Sequence, residues 1–420
     1  MAKATQKNIL LVAYYWPPAA GSGVQRWLYL AQHLASMGHK IDVLTVSSTA
    51  ATPQDEELLS KVPESIRVHR MRIWEPGRGL YRYASEQTND HTNLTYRMIR
   101  WIRANVFFPD ARCFWIAKGK RWIGRFIKSH QPDWLITTGP PHSVHMMGYA
   151  HRHHPHTRWM ADFRDPWADF FVNQSLPMTQ LTRKRHQKWE QKIVSSAHMV
   201  LTTTPSLKER YQIWNPRTEL VFNGFEKLIY GDLSAEFSFC YAGSLKSNQV
   251  ADTFWTSIQT LATTIPKFAH HTKIHIYGQT DPFVREKIDT LTNKELIQWY
   301  GYQPKSKVDQ ALSSARVLLF FGNQHVSSDR VINAKIFEYM AAARPVLALV
   351  NAHGDLSSFI RKHKLGAVFL YSEKEAIMNW LNNQYNDYLK GISGEDVQVD
   401  MTYSRESQAS LLANLLTQEP

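Results

Sequence analysis

Short apolar runs, each ended by glycine, proline or a polar loop, alternate along this chain with segments of helical periodicity. Residues 8–15 form the first run, residues 17–23 a loop rich in proline and glycine, and residues 24–37 an amphipathic helix closed by Gly38. With the strand expected at residues 41–46, this makes the β-α-β unit of a doubly wound sheet. Further strands are expected at residues 66–71, 132–138, 158–161 and 199–203, with a long charged helix at 183–195 and a short one at 205–211. The pattern then restarts. Strands at residues 237–241, 273–277, 297–300 and 317–321 alternate with helices at 254–264 and 305–314, and an amphipathic helix at 403–416 ends the chain. Wholly apolar strands of this kind belong to parallel sheets covered on both faces, so the chain is expected to be α/β.

The densest passage is residues 333–349, NAKIFEYMAAARPVLAL. Ile336, Phe337, Met340 and Ala341 recur at helical spacing and mark an inward face, while Lys335, Glu338 and Ala342 fall on or beside the other. Pro345 ends the helix because it lacks an N–H and restricts the residue before it, and residues 346–350 read as a buried strand. Glu338 thus stands mid-helix where the apolar spacing does not claim it, which fits a solvated glutamate and a ligand contact equally. Upstream, the strand at 317–321 runs into a polar loop leading to the helix. Sheets of this class take ligands in loops at the carboxyl ends of strands, where a helix start offers unpaired N–H groups to an anion.

At 420 residues the chain suits two domains better than one core, and 43% hydrophobic with 20% charged residues is ordinary for a globular protein. The formal charge of +13 calls for a partner or surface of opposite sign. Much of it lies between Tyr96 and Lys128, where nine arginines and lysines mix with Trp101, Trp115, Trp122 and four phenylalanines, opposed only by Asp110. A basic amphipathic segment rich in tryptophan fits an anionic membrane surface, since indole settles at headgroup level; a packed helical pair with a solvated basic face is the alternative. No nucleic-acid-binding module accompanies the charge, so nucleic acid is not expected as a partner. Cys113 and Cys240 are far apart and lack metal-ligand spacing, which suggests free thiols and a reducing compartment. The first apolar run is short, ends at Trp16-Pro17-Pro18 and lacks a small-residue cleavage site, so it reads as a strand rather than a signal peptide. No run reaches the ~18–20 apolar residues of a membrane span. The expected location is the cytoplasm, peripheral to the inner face of the cell membrane.

Three further motifs sit at strand ends: the loop PPAAGSGVQR with Gly21, Gly23 and Arg26; Gly139-Pro140-Pro141-His142-Ser143; and Asp162-Phe163-Arg164-Asp165-Pro166-Trp167. Two aspartates flanking an arginine at a sheet edge need partners, whether from the protein or from a ligand. The histidines at 151, 153, 154 and 156 are interrupted by Pro155 and lack a nearby carboxylate, so a surface turn is expected rather than a metal site.

Taken with the strand, loop and helix leading to Glu338 and the run Ala342-Ala343-Arg344-Pro345-Val346, these motifs resemble those of retaining GT-B glycosyltransferases of the family 4 type, in the bacterial surface-polysaccharide branch. The resemblance spans nearly the whole chain and implies two Rossmann-like doubly wound domains facing across a cleft: residues 1–222 for the acceptor, with a basic aromatic insertion at about 74–130, and 223–402 for the donor. Residues 403–420 would form a helix crossing back to the first domain. It implies Glu338 on the donor ribose, with Gly21, Gly23, Gly243, Lys246, Gly301, Tyr302, Arg330, Asn333, Ala334 and Lys335 around the nucleotide sugar. Asp162, Arg164 and His142 are its catalytic candidates, and Arg26 and Asp165 its contacts to a lipid-linked or oligosaccharide acceptor. No cofactor or metal is expected, in keeping with the lack of an exposed DxD pair. The chain departs from the family pattern where Arg330 replaces an acidic residue, Ala343 a glycine, and Ser244 and Gln249 the cations of the phosphate loop. A sugar-nucleotide epimerase of the same fold and an inactive glycan-binding scaffold are the competing readings.

Overall fold

The structure is a computed structural model that describes residues 6–47, 54–74, 94–170, 176–392 and 397–418. Part of the expected insertion, residues 75–93, lies outside the described residues. The chain divides into two compact units, Met1–Asn223 with Arg405–Pro420, and Gly224–Ser404.

The first unit is built on strands β1 (Asn8–Ala13), β2 (Lys40–Val46), β3 (Arg67–Met71), β4 (Trp134–Gly139), β5 (Arg158–Phe163), β6 (Met199–Thr202) and β7 (Thr218–Leu220). They form one parallel sheet in the order β3-β2-β1-β4-β5-β6-β7. Alternate residues of β1 enter opposite cores, as a strand buried on both faces requires. Ile9, Leu11 and Ala13 pack against Val24, Trp27, Leu28, Ala31 and Leu34 of the helix Ser22–Ser36. Leu10 and Val12 join Trp115, Ile123, Phe126 and Ile127 on the other side. The terminal helix Arg405–Thr417 belongs to this unit. Ala409, Leu412, Ala413 and Leu416 enter the first core, and Trp134 Nε1 donates to the Leu416 carbonyl at 3.0 Å.

The second unit repeats the design with β8 (Phe237–Ala242), β9 (Thr272–Tyr277), β10 (Ile297–Gly301), β11 (Val317–Phe321), β12 (Val346–Leu349) and β13 (Gly366–Phe369), all parallel, in the order β10-β9-β8-β11-β12-β13. In each sheet the order reverses beside the first strand, between β1 and β4 and between β8 and β11. Loops at the carboxyl ends on either side of such a switch point are where this architecture opens to ligands.

The basic aromatic segment differs from expectation. It forms the helices Leu94–Asn105 and Ile116–His130. Trp115 is fully buried and donates to Ser143 Oγ at 3.1 Å, and Trp122 is half-buried, stacked on Phe126. Trp115 therefore cannot serve as a surface anchor, and Trp122 is only partly exposed. Trp101 is 48% exposed, and Leu94, Met98 and Val106 are exposed on the same helix or just beyond it. Among the described residues no helix is long and apolar enough to cross a membrane, and no cluster of three or more candidate metal ligands forms. Both cysteines are free thiols.

Candidate functional site

In the second unit the strands at the switch point part company. β8 and β11 pair only through Val317 with Phe239 and Leu318 with Cys240. Beyond that register the Tyr339 hydroxyl closes the gap, accepting from the Ala242 N–H at 3.0 Å and donating to the Leu319 carbonyl at 3.1 Å. Lys335 lies one turn earlier on the same helix, Lys335–Ala341, and therefore on the same face. Its Nζ donates to the Tyr241 hydroxyl at 3.1 Å and lies 4.3 Å from the centre of the Tyr241 ring and 4.8 Å from that of Phe320. Burial lowers its pKa to about 7. The apolar spacing placed Ala342 beside the outer face, but it is buried, as is Tyr339.

Three strand-end turns stack beside this lysine. Gly243 follows β8 with φ 132°, and a Cβ on Gly278 would meet the Gly243 carbonyl oxygen at 2.3 Å. That approach admits only glycine. The Gly278 N–H donates to the Gly301 carbonyl at 2.7 Å, and Gly301 leads into exposed Tyr302. Gln249, at the place of a family lysine, is a brace: its Nε2 donates to the Phe321 carbonyl at 2.9 Å and its Oε1 accepts from the Lys246 N–H at 3.2 Å. Lys246, Arg330 and Asn333 are exposed, and Ala334 precedes the helix as its cap. The carboxylate of Glu338 is partly exposed, with the Lys305 ammonium at 3.4 Å. Ala343 adopts φ 52°, the left-handed conformation that a glycine would relieve.

In the first unit the structure separates the two aspartates of Asp162-Phe163-Arg164-Asp165. Asp162 lies inside β5 and is fully buried. Its Oδ1 accepts from Arg26 Nη2 at 2.9 Å, and its Oδ2 from Trp27 Nε1 and Thr138 Oγ1, both at 2.7 Å. Burial by itself would raise its pKa, but the Arg26 charge and these hydrogen bonds bring it below the usual range. Arg26 is equally buried, and its Nη1 also donates to the carbonyls of Val221 and Phe222 at 2.9 Å. Asp162, expected as a catalytic group, and Arg26, expected as an acceptor contact, thus have their polar atoms met by partners inside the fold.

Arg164 is a positioning residue. Its Nε donates to the Gly139 carbonyl at 3.2 Å, Nη1 to that of Gly23 at 2.7 Å and Nη2 to that of Pro140, tying the ends of β1, β4 and β5 together. A Cβ on Gly23 would meet Nη1 at 2.9 Å, so the second glycine of the loop makes room for this staple. Gly21, with φ 109°, is exposed at the loop's tip. Asp165 is only half-buried, and its pKa is raised by desolvation, which outweighs the neighbouring Arg164 charge. Of the two aspartates it is the one that is not fully buried. His142 is stacked on Trp167 at 5.0 Å, and burial keeps it neutral, with a pKa well below 6.5. Asp110, the lone acid of the basic segment, caps the helix Ser143–Ala150 by accepting from the Ser143 N–H at 2.8 Å.

Two family models match the chain: the glycosyl transferase 4-like domain over residues 21–224 and glycosyl transferases group 1 over residues 236–387. The chain is a GT-B glycosyltransferase. Solved structures similar to this glycosyltransferase include one from Rickettsia africae ESF-5, at 12% identity and TM-score 0.61, covering 98% of this chain and 96% of the other. A variant of S. aureus TarM in complex with fondaparinux, alpha-GlcNAc-glycerol and UDP matches at 12% identity and TM-score 0.64, covering 98% and 100%. WaaG, described as a glycosyltransferase involved in lipopolysaccharide biosynthesis, matches at 15% identity and TM-score 0.53, again covering 98% and 100%. At such identities the likeness concerns the fold. No curated protein matches the sequence significantly. Sequence reasoning named Lys335 as one of several donor contacts but gave no hint of its surroundings, because Tyr241 and Phe320 read simply as core residues of buried strands.

Proposed function

We propose that this glycosyltransferase moves a sugar from a nucleotide-sugar donor to a lipid-linked glycan acceptor, with retention and without a metal ion, in the assembly of a cell-surface polysaccharide. The observation that carries the donor assignment is the Lys335 amine beside the Gly243 and Gly278 turns at the switch point of the second sheet. Glycosyl transfer leaves charge on the departing diphosphate, so a site that meets this charge more strongly in the transition state speeds the reaction. Glu338 is assigned to the ribose hydroxyls, and the Gly301–Tyr302 turn to the base. On the acceptor side Asp165 holds a hydroxyl and neutral His142 offers a further hydrogen bond. Retention follows the resemblance of the donor stretch, and in that chemistry the leaving phosphate can itself take the acceptor proton. The UDP and alpha-GlcNAc-glycerol held by TarM, and the lipopolysaccharide role in the description of WaaG, support these substrate classes.

The lipid-linked acceptor and a cytoplasmic, membrane-peripheral location are supported by the helix Leu94–Asn105. It exposes Leu94, Met98 and Trp101 alongside Arg97 and Arg103, a pairing suited to an anionic leaflet. A thermal-shift screen across nucleotide sugars tests the donor assignment, because a ligand at a hundred times its Kd adds about 2.7 kcal/mol to the folded state. The expected result is stabilisation by one nucleotide class, followed by acceptor-dependent release of its nucleoside diphosphate that persists in EDTA. Absence of stabilisation by every nucleotide sugar would overturn the proposal, and epimerisation of the donor without an acceptor would replace it.

A further inference from the structure

Lys305 opens the helix Lys305–Ser314 directly after Pro304, at a place where local preferences do not favour it. The start of a helix carries partial positive charge, so acids are stabilising in the first turn and cations are not. An ion pair four residues apart on a helix is also better with the acid first, whereas Lys305 precedes its partner Asp309. A residue that breaks two local preferences points to what it meets elsewhere in the fold. Its Nζ donates to Asp309 Oδ1 at 2.7 Å and lies 3.4 Å from Oε1 of Glu338, on the helix Lys335–Ala341. All three side chains are partly exposed, so the cluster borders solvent.

The lysine stands on a fixed support. Gln303 Nε2 donates to the Tyr300 carbonyl at 3.0 Å and the Gly278 N–H to the Gly301 carbonyl at 2.7 Å, which pins the chain between β10 and the helix. The shorter contact, to Asp309, anchors the amine to its own helix, and the longer one sets the direction of the Glu338 carboxylate. A glutamate side chain has three rotatable bonds, and a ligand that must fix them loses affinity by that ordering. We infer that Lys305 is a positioning residue of the donor site: it holds the Glu338 carboxylate in the orientation that meets the ribose hydroxyls, in register with the Gly301–Tyr302 turn. This rests on the assignment of Glu338 to the ribose, and adds to it the group that makes the carboxylate selective for a ribose diol. Without the ammonium, Asp309 and Glu338 repel each other and the orientation is lost.

UDP, ADP and GDP serve as probes in calorimetric titrations of the full chain, with the 2′-deoxy and 3′-deoxy forms of whichever nucleotide binds. The wild type is expected to bind the ribonucleotide roughly tenfold more tightly than either deoxy form, because each lacks a hydroxyl that donates to the carboxylate. In Lys305→Met the ribonucleotide should bind roughly fivefold more weakly and the discrimination should shrink to about twofold, since the carboxylate is no longer preorganised. Its melting temperature should stay near that of the wild type, as partly exposed ion pairs add little stability. In a double-mutant cycle with Glu338→Gln, Lys305→Met should cost nothing further, because the lysine acts through that carboxylate. Full additivity of the two changes, or unchanged discrimination in Lys305→Met, would overturn the inference and leave the ribose assignment standing. Unchanged affinity in Glu338→Gln alone would instead remove the ribose assignment, and failure of every nucleotide to bind the wild type would remove the donor site; either takes this inference with it.

Discussion

Asp162 and Asp165 stand three positions apart in one motif and meet opposite surroundings. Asp162 has its charge consumed by buried Arg26, so Asp162→Asn leaves that guanidinium uncompensated and should cost about 3 kcal/mol or more of stability by denaturant unfolding. The pH dependence carries a sign. The folded pKa of Asp162 lies below its unfolded value, so its contribution is present above the ordinary carboxylate range and lost as pH falls through the folded pKa. The stability gap between wild type and Asp162→Asn should therefore be full near neutrality and narrow on acidification below about pH 4. Asp165→Asn should behave otherwise, keeping the melting temperature and donor affinity while turnover falls by roughly tenfold, about 1.4 kcal/mol. Loss of stability without loss of turnover would make Asp165 a structural residue. For Glu338, replacement by glutamine preserves shape but removes charge-assisted hydrogen bonds. Donor affinity should drop by about 1.5–3 kcal/mol in a binding titration, and an unchanged affinity would remove it from the ribose.

Elements add constraints that single residues do not show. The helix Lys335–Ala341 ends through Ala343, whose N–H donates to the Met340 carbonyl at 3.0 Å and whose φ is 52°. A left-handed alanine costs about 1–2 kcal/mol, and a glycine there loses about 0.4–1 kcal/mol through its freer unfolded chain. Ala343→Gly should thus stabilise the protein by about 0.5–1 kcal/mol in equilibrium unfolding. The basic aromatic segment splits by burial. Trp115→Ala should cost about 3–5 kcal/mol as a core cavity. The double change Met98→Ser with Trp101→Ser should leave stability nearly untouched, yet release the protein from anionic vesicles in a sedimentation assay. Each cation near such a surface contributes about 1 kcal/mol and is screened by salt, so wild-type binding should weaken as ionic strength rises. Equal binding of the double variant and the wild type would assign the exposed side chains no part in docking.

For the whole molecule, the apolar runs were enough to locate nearly every described strand, because a strand buried on both faces has no polar face to disguise it. The strand read at residues 158–161 extends to Phe163, which draws Asp162 into the sheet. The helices at 305–314 and 205–211 were legible from their proline starts and periodicity. The resemblance to glycosyltransferases was legible in local motifs, since Glu338, the glycine turns and the Pro345 stop are each defined by neighbours in sequence.

What the sequence determined by itself was the alternation of strands and helices, the doubling of that pattern and the family it belongs to, because these depend on periodicity and on short-range turn chemistry. Which carboxylate is fully buried and paired and which is left partly exposed was decided only when β5 was paired with β4 and the helix bearing Arg26 was packed over it, a matter of burial. The setting of Lys335 likewise arises from Tyr241 and Phe320, 94 and 15 positions earlier in the chain and brought together by the parting of β8 and β11. Desolvation is a property of that assembled environment, and no local pattern of residues encodes it.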